Sequence, residues 1–269
     1  MTDASVDEAT TEPDADWQRR VVGRSLRSAA ERSVDRGFSL IAAAATVLER
    51  SNGEDITVQE VADEAGQSLR TLYQYFASKD DLLLAVFEEA MRTYARLIRR
   101  ATEELTEPLD LLAGTMLAAV RMPDFSDSGI ERGLARLRLK LAEAEPDRVG
   151  QAQASVATLI RGAVASASAA KVISMVDSES ATFVLMSLNG AYITAEAMGN
   201  DAGVRRPDPI ALTVFCLRGL GADVDEAWVS SIDRRLKFSR RPAPGTKAKS
   251  ARPAGRTKAT TAGTAKKQA

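Results

Sequence analysis

The stretch from Thr57 to Leu83 constrains the fold most strongly, because two short amphipathic segments flank a glycine within it. Thr57 and Glu60 have the spacing of a capping box, which predicts a helix start at Thr57. Apolar residues follow at helical spacing and stop at Gly66, a residue that readily adopts the left-handed conformation ending many helices. Ser68 can cap a second helix. The pattern therefore predicts two helices joined by a tight turn over residues 57–76.

The second predicted helix has a polar outer face. Its spacing points Leu72 and Phe76 inward, so that the hydrogen-bonding groups left outside are those of Arg70, Thr71, Tyr73, Gln74 and Tyr75. Two helices around a glycine turn form the helix-turn-helix arrangement, whose second helix lies in the major groove of DNA. The alternative is a pair of small helices from an ordinary bundle.

These residues resemble the DNA-binding signature of the TetR family of transcriptional regulators. The positions that agree in register are Thr57, Val61, Ala62, Ala65, Gly66, Ser68, Thr71, Leu72, Tyr73, Phe76, Lys79, Leu82 and Leu83. Gln67 departs from the small apolar residue usual there, and Leu69 replaces a side chain that is polar in many members. The resemblance implies an all-α fold, in which an N-terminal three-helix helix-turn-helix domain precedes a C-terminal helical ligand-binding and dimerisation domain.

The matching positions imply contacts to the DNA backbone. Tyr73, Tyr75 and Lys79 correspond to family positions that bind phosphates and set the register on the duplex. Thr57 and Gln59, at the start of the supporting helix, are also expected to touch the backbone. Lys79 lies in the first turn of a third predicted helix, where the helix dipole does not favour a cation, so an anion is expected nearby.

Base contacts are expected from the exposed side of the second helix. Arg70, Thr71 and Gln74 are predicted to face base edges, where arginine suits guanine and glutamine suits adenine. Leu69 either meets a thymine methyl group or packs inward. The predicted DNA-binding residues are Thr57, Gln59, Ser68, Leu69, Arg70, Thr71, Tyr73, Gln74, Tyr75 and Lys79.

Composition argues against an enzyme and against a metal site. The 269 residues include no histidine and one cysteine, Cys216, which removes the commonest general base and excludes an internal disulfide or a cysteine-based zinc site. Acidic pairs such as Glu103 and Glu104 lie on polar helix faces, which is typical of solvated charge. No apolar run approaches the ~20 residues of a membrane span. We predict a cytoplasmic protein without catalytic residues, bound metal or cofactor other than a small effector.

Charge is segregated toward the ends of the chain, although its formal net value is only -1. Residues 1–27 begin acidic and become basic at Arg19, and they are predicted to form a disordered arm. Residues 239–269 are basic, lack acidic side chains and are predicted to form a second disordered tail. Either tail could contact phosphates or could be only solvated. The tail also leaves open an alternative function, that of an architectural protein binding DNA without sequence preference.

Between the tails, helical periodicity continues throughout. Residues 34–94 are predicted to be the helix-turn-helix domain, with an apolar stripe on its first helix formed by Val34, Phe38, Ile41, Ala45 and Leu48. A helix beginning near Leu83 is expected to connect this domain to the next. Residues 95–238 are predicted to form a regulatory and dimerisation domain, since no run in them alternates with the period of a strand.

The segments 180–198 and 209–220 are apolar on more than one side, so they require cover on all sides. Either they are central in a monomer, or a second copy of the chain covers them. The family resemblance implies a homodimer through about residues 180–220, formed by four-helix packing.

The resemblance also implies a pocket whose ligand changes the spacing of two DNA-reading heads. The candidate lining residues are Met116, Leu137, Leu141, Ile160, Phe183 and Met186, with Arg121, Asn189 and Tyr192 as polar anchors. Core packing is the alternative for each. Few aromatic residues and the lack of histidine favour a small apolar effector. The predicted function is a sequence-specific DNA-binding regulator, acting as a ligand-responsive repressor that binds double-stranded DNA at a palindromic operator as a dimer.

Overall fold

The computed structural model describes residues 16–51, 54–121, 128–174, 177–199 and 203–237, with side chains from residue 30 onward except at residues 128 and 129. These ranges contain helices and no strand, which confirms the all-α fold class. The helices are α1 (Asp16–Arg50), α2 (Val58–Glu64), α3 (Leu69–Tyr75), α4 (Lys79–Ala101), α5 (Pro108–Val120), α6 (Ser128–Ala144), α7 (Pro146–Ala169), α8 (Ser178–Met198), α9 (Pro209–Gly219) and α10 (Glu226–Arg235). None of them is long and apolar enough to cross a membrane.

Local capping fixes the boundaries of the helix-turn-helix. The Glu60 amide donates to Thr57 Oγ1 at 3.2 Å, and the Thr57 amide donates to Glu60 Oε2 at 2.7 Å, which completes the capping box. Hydrogen bonds from the Thr57 side chain and backbone lower the pKa of Glu60. Gly66 has a φ of 61°, so the chain turns through a conformation that costs glycine little. Ser68 then caps α3 by accepting from the Thr71 amide.

The N-terminal arm differs from the prediction. Residues 16–27 were expected to be disordered, but α1 begins at Asp16 and runs for 35 residues. Residues 16–27 contain four arginines, which favour a helix, and no proline, which would stop one, so a helix anchored further along the chain extends through them. Residues 1–15 lie outside the described residues, as do residues 238–269, which include the predicted basic tail at 239–269.

The buried face of α1 also differs from the predicted stripe. Val34 and Phe38 are 56% and 48% exposed, whereas the residues buried in the core are Leu40, Ala43, Ala44, Val47 and Leu48. Residues 40–48 are apolar at eight of nine positions, so periodicity cannot tell one side from another. The packing of α1 against α2, α4 and α6 decides which side is buried.

Two apolar cores share α4. The first lies under α1, α2, α3 and the start of α4, and α6 and α7 complete it with Leu134, Leu137, Leu141, Val149 and Ala152. The second contains the end of α4 together with α5, α7, α8, α9 and α10. Among the described residues, the helix-turn-helix therefore shares its buried apolar core with α6 and α7.

Tyr94 joins the two cores through a buried hydrogen bond. Its hydroxyl donates to Oε1 of Glu131, a residue that is only 5% exposed. Burial, followed by the negative charge of Glu131, raises the pKa of Tyr94 well above its ordinary value, so the phenol keeps its proton. Glu131 thus receives a permanent donor from α4.

We expect Tyr94→Phe to lower the free energy of unfolding by about 1 to 3 kcal/mol, because it removes a donor from a buried carboxylate. Urea unfolding followed by helical circular dichroism measures the loss. Tyr192→Phe is the matched control, since the Tyr192 hydroxyl donates to the carbonyl oxygen of Pro207 at an exposed position. Equal losses in the two variants would contradict a special role for the Tyr94 hydroxyl.

Candidate nucleic-acid interface and ligand cavity

Helix α3 is anchored by one side and presents the other to solvent. Leu72 is fully buried and Phe76 is 8% exposed, so both pack into the first core. Arg70, Tyr73 and Gln74 are exposed on the opposite side. This arrangement holds three hydrogen-bonding side chains on a short helix that is fixed from below.

The remaining predicted residues of α3 are less accessible. Leu69 is half-buried and packs against the first core, so of its two alternatives the structure favours inward packing. Thr71 is half-buried, and its Oγ1 lies 2.9 Å from Oγ of Ser68, the helix cap. Tyr75 is half-buried beside α1, where its hydroxyl accepts a hydrogen bond from Ser33 Oγ at 3.4 Å. The hydroxyl groups of Thr71 and Tyr75 therefore already have hydrogen-bond partners within the chain.

The predicted backbone contacts on α2 also have internal partners. Thr57 Oγ1 donates to Glu60 Oε2 at 2.7 Å, and Gln59 Nε2 donates to Asp63 Oδ1 at 2.8 Å. Both residues are exposed. A phosphate at this helix start would therefore compete with, or add to, an existing hydrogen bond.

The anion expected near Lys79 belongs to the protein itself. Lys79 Nζ lies 2.7 Å from Asp55 Oδ1, and Lys140 Nζ of α6 lies 3.6 Å from the same oxygen. The hydrogen bond and positive charge of Lys79, with a smaller contribution from Lys140, lower the pKa of Asp55. The lysine predicted to bind a phosphate is thus paired with an exposed carboxylate in the free protein.

A second ion pair fixes the start of α4 from the other side. Arg148 of α7 lies 3.0 Å from Asp81 and 2.9 Å from Glu145. Sequence analysis missed both Asp55 and Arg148 as partners of this region. Asp55 and Lys79 are 24 residues apart, and Arg148 and Asp81 are 67 residues apart, so no local spacing signals either pair.

Asp55→Asn is expected to raise the affinity for any duplex severalfold at low salt, because it frees Lys79 for a phosphate. The gain should shrink as salt rises, since exposed charges are screened. Fluorescence anisotropy with a specific and a random duplex measures it. Glu54→Gln removes the same charge from the neighbouring exposed residue and is the control. Equal gains in the two variants would attribute the effect to net charge alone.

A cavity of about 80 Å³ lies among α4, α6, α7 and α8. Apolar side chains form much of its wall, but polar ones are also present: Tyr94, Glu131, Arg138, Gln153, Asn189 and Thr194. Two of the predicted pocket residues, Met186 and Asn189, line this cavity.

The other seven predicted pocket residues lie elsewhere. Met116 and Ile160 are buried in the second core, while Leu137 and Leu141 are buried in the first. Phe183 is 73% exposed on α8. Among the polar anchors, Arg121 forms an ion pair with Asp233 at 2.9 Å, and Tyr192 donates to the carbonyl oxygen of Pro207 at 3.0 Å. Inward apolar residues of a helical bundle mostly pack against each other, which accounts for the buried positions of these residues.

Two charged residues of α6 are a signal for the cavity in the sequence. Glu131 and Arg138 are seven residues apart, which places them on the same side of α6 as the apolar Leu134 and Ala135. Charged residues on an apolar helix face need a partner or a ligand.

The sequence between α1 and α4 matches a family model. Residues 40–86 fit the model described as bacterial regulatory proteins, tetR family. This segment of the chain is similar to the bacterial regulatory proteins of the tetR family.

Two curated relatives match the N-terminal part of this chain. The transcriptional regulator HbdR of Aromatoleum sp. (strain CIB) is 31% identical over 90 residues, which are 34% of this chain and 39% of that protein. The transcriptional regulator BetI of Brucella canis is 29% identical over 95 residues, which are 35% of this chain and 48% of that protein. The match thus spans less than half the length of either relative. Both are regulators rather than enzymes.

Solved structures extend the likeness in fold to the helices beyond α4. RolR in complex with resorcinol superposes with a TM-score of 0.57 at 20% identity, covering 79% of this chain and 100% of that one. FadR from Bacillus subtilis in complex with stearoyl-CoA gives a TM-score of 0.55 at 18% identity, covering 70% of this chain and 99% of that one. At such identities these comparisons establish the fold alone.

Proposed function

We propose that this protein is a ligand-responsive transcriptional repressor, which binds a palindromic operator as a homodimer. The observation that carries the DNA-binding part is the geometry of α3. Buried Leu72 fixes the helix from below, while Arg70 and Gln74 point into solvent with side chains suited to guanine and adenine. The TetR-family match of residues 40–86 supports the same assignment.

Contacts of two kinds divide the work at the duplex. Tyr73 and Lys79 are proposed to bind phosphates and set the register, whereas Arg70 and Gln74 are proposed to read base edges. Lys79 exchanges the Asp55 carboxylate for a phosphate when the duplex binds. Tyr75 orients α3 against α1, and its hydroxyl remains close enough to the surface to join the phosphate contacts.

Exposed apolar side chains on α8 and α9 support the homodimer. Phe183 and Val184 of α8 are 73% and 52% exposed, and Phe215 of α9 is 67% exposed. We attribute the exposure of these large apolar side chains to an interface with a second copy of the chain. A second copy of the chain would cover these residues and would place two α3 helices in successive major grooves.

Helix α6 supports the ligand response, because it belongs to the cavity and to the core below the helix-turn-helix. Leu134 lines the cavity and is also part of the first core. Lys140, near the C-terminal end of α6, faces Asp55, which is the ion-pair partner of Lys79. A ligand that favours one position of α6 would thereby change the support of α3, which is a coupling between two sites. The structural relatives with resorcinol and stearoyl-CoA bind small molecules in the same fold.

Selection from random duplexes with purified full-length protein tests the proposal. We expect enrichment of a palindrome whose half-sites are about 10 base pairs apart, or a multiple of that spacing, because two-fold protein symmetry imposes it. Enrichment of a single half-site would contradict the dimeric mode. If no sequence were enriched, the proposal of a sequence-specific regulator would be wrong, and binding without sequence preference would be favoured.

A further inference from the structure

Arg138 lies on the cavity wall and has no ion-pair partner among the residues that the structure describes. The residue is half-buried, and no carboxylate in the described part of the chain lies within the 4.0 Å that defines an ion pair. Its Nη1 makes only a long hydrogen bond of 3.4 Å, to Oγ1 of Thr194. A methyl group built on Gly190 would lie 3.4 Å from Nη2, so the guanidinium rests close against the backbone of α8. A partly desolvated guanidinium in this position favours a bidentate anion such as a carboxylate.

Asn189, the residue before Gly190, contributes an acceptor without a donor. It is 6% exposed and lines the cavity, and its Oδ1 has no hydrogen-bond partner among the described residues. Leaving a buried acceptor unpaired is costly, so a ligand that donates to it gains affinity. Because Arg138 packs against the next residue of α8, the anion and the donor of the ligand must be close together.

Glu131 does not neutralise Arg138. The two residues are seven positions apart on α6, which separates them by about 10.5 Å along the helix axis. Glu131 is held at its own end of the cavity by the hydroxyl of Tyr94. A carboxylate there repels an anionic ligand group. The acid group of the ligand therefore lies at Arg138, and the rest of the ligand extends away from Arg138.

The size of the cavity limits the ligand. Its volume of about 80 Å³ is roughly half of the ~150 Å³ of an apolar cavity that takes benzene. The wall between the polar ends includes Leu134, Val156 and Met186. A cavity of this volume accommodates the short alkyl part of a ligand, while its polar head lies at the half-buried Arg138.

We infer that the cavity binds a short-chain 2-hydroxy carboxylic acid of about three to five carbons. The carboxylate accepts hydrogen bonds from Arg138, the adjacent hydroxyl donates to Oδ1 of Asn189, and the alkyl group lies against Leu134, Val156 and Met186. This inference rests on the proposed function, since it assigns a chemical class to the effector of that regulator.

Calorimetric titration of the full-length protein with 2-hydroxybutyrate, butyrate and butane-1,2-diol tests the assignment. We expect 2-hydroxybutyrate to bind most tightly and the neutral diol most weakly. Arg138→Gln should weaken both acids by about 10- to 100-fold and leave the diol unchanged, because a hydrogen bond to a charged group is lost. Asn189→Leu should abolish the preference for 2-hydroxybutyrate over butyrate.

Arg132→Gln is the matched control. Arg132 lies on the same helix, and its Nε donates to the carbonyl oxygen of Ala197 on α8 at 3.1 Å, but it does not line the cavity. We expect it to bind the acids as the unmodified protein does, and helical circular dichroism verifies that each variant is folded.

Three results would overturn the assignment: equal affinity for acid and diol, unchanged acid binding in Arg138→Gln, or no binding of any of the three probes. DNA selection without ligand is measured separately. A protein that selects a palindrome but binds none of the probes has another effector class, whereas a protein that selects no sequence fails the proposed function itself.

Discussion

Replacing Phe183 and Phe215 together by glutamate is expected to turn the protein into a monomer. Both side chains are more than two-thirds exposed on the single chain, so the change should not disturb its own core. In a dimer, however, the four carboxylates would be buried against apolar groups, and uncompensated burial of charge is strongly unfavourable. Light scattering after size-exclusion chromatography gives the mass of the particle directly.

The same double variant should lose operator affinity by at least about 100-fold. A dimer binds its second half-site as an intramolecular event at high effective concentration, and separate monomers lose that advantage. Leu97→Glu is the control, since Leu97 is 39% exposed on α4 and lies outside α8 and α9. A variant that stays dimeric would show that this surface is not the interface. A monomer with undiminished affinity would show that the operator does not require two copies.

Arg70→Ala should cost about 1 to 3 kcal/mol of binding free energy on the selected operator and relax the preference at one base pair of each half-site. The Arg70 side chain is exposed, and no hydrogen bond or ion pair holds it in the described part of the chain. It is therefore available to a base edge without giving up an internal partner. Competition binding with operators changed at single positions locates the affected base pair.

Lys79→Ala provides the contrasting result. Loss of a phosphate contact should weaken operator and random duplexes alike and reduce the slope of log affinity against log salt by about one. Asp55 competes with the phosphate for the ammonium group of Lys79. The loss of affinity caused by Lys79→Ala should therefore be larger in the Asp55→Asn background than in the unmodified protein. If Arg70→Ala weakened operator and random duplexes equally, Arg70 would contact the backbone and its assignment to a base would be wrong.

The helix-turn-helix could be predicted from the sequence because its determinants are local. Each helix start depends on a hydroxyl and an amide three residues apart, as at Thr57 and Glu60 or Ser68 and Thr71, and the turn depends on Gly66 alone. Such spacings are visible without any knowledge of the tertiary structure. The described boundaries of α2 and α3 accordingly agree with the predicted motif.

Features that depend on distant partners could not be predicted in the same way. The apolar run on α1 allowed several buried faces, and the helices packed on it select one. Asp55 has no special surroundings in the sequence, and its role becomes visible only when the fold brings it to Lys79 and Lys140. For the cavity, the charged side chains of Glu131 and Arg138 were more informative than the apolar candidates, most of which are ordinary core residues.

The core that α6 and α7 share with the helix-turn-helix affects how this chain can be recombined with other proteins. A chimera that joins residues 34–94 to the sensor half of another protein would place the underside of the reading head on unrelated side chains. Leu134, Leu137, Leu141 and Val149 would be replaced there by residues of other size and shape. A chimera made from this chain should therefore keep the turns of α6 and α7 that contact the helix-turn-helix. Some of these turns lie more than 30 residues beyond the end of α4.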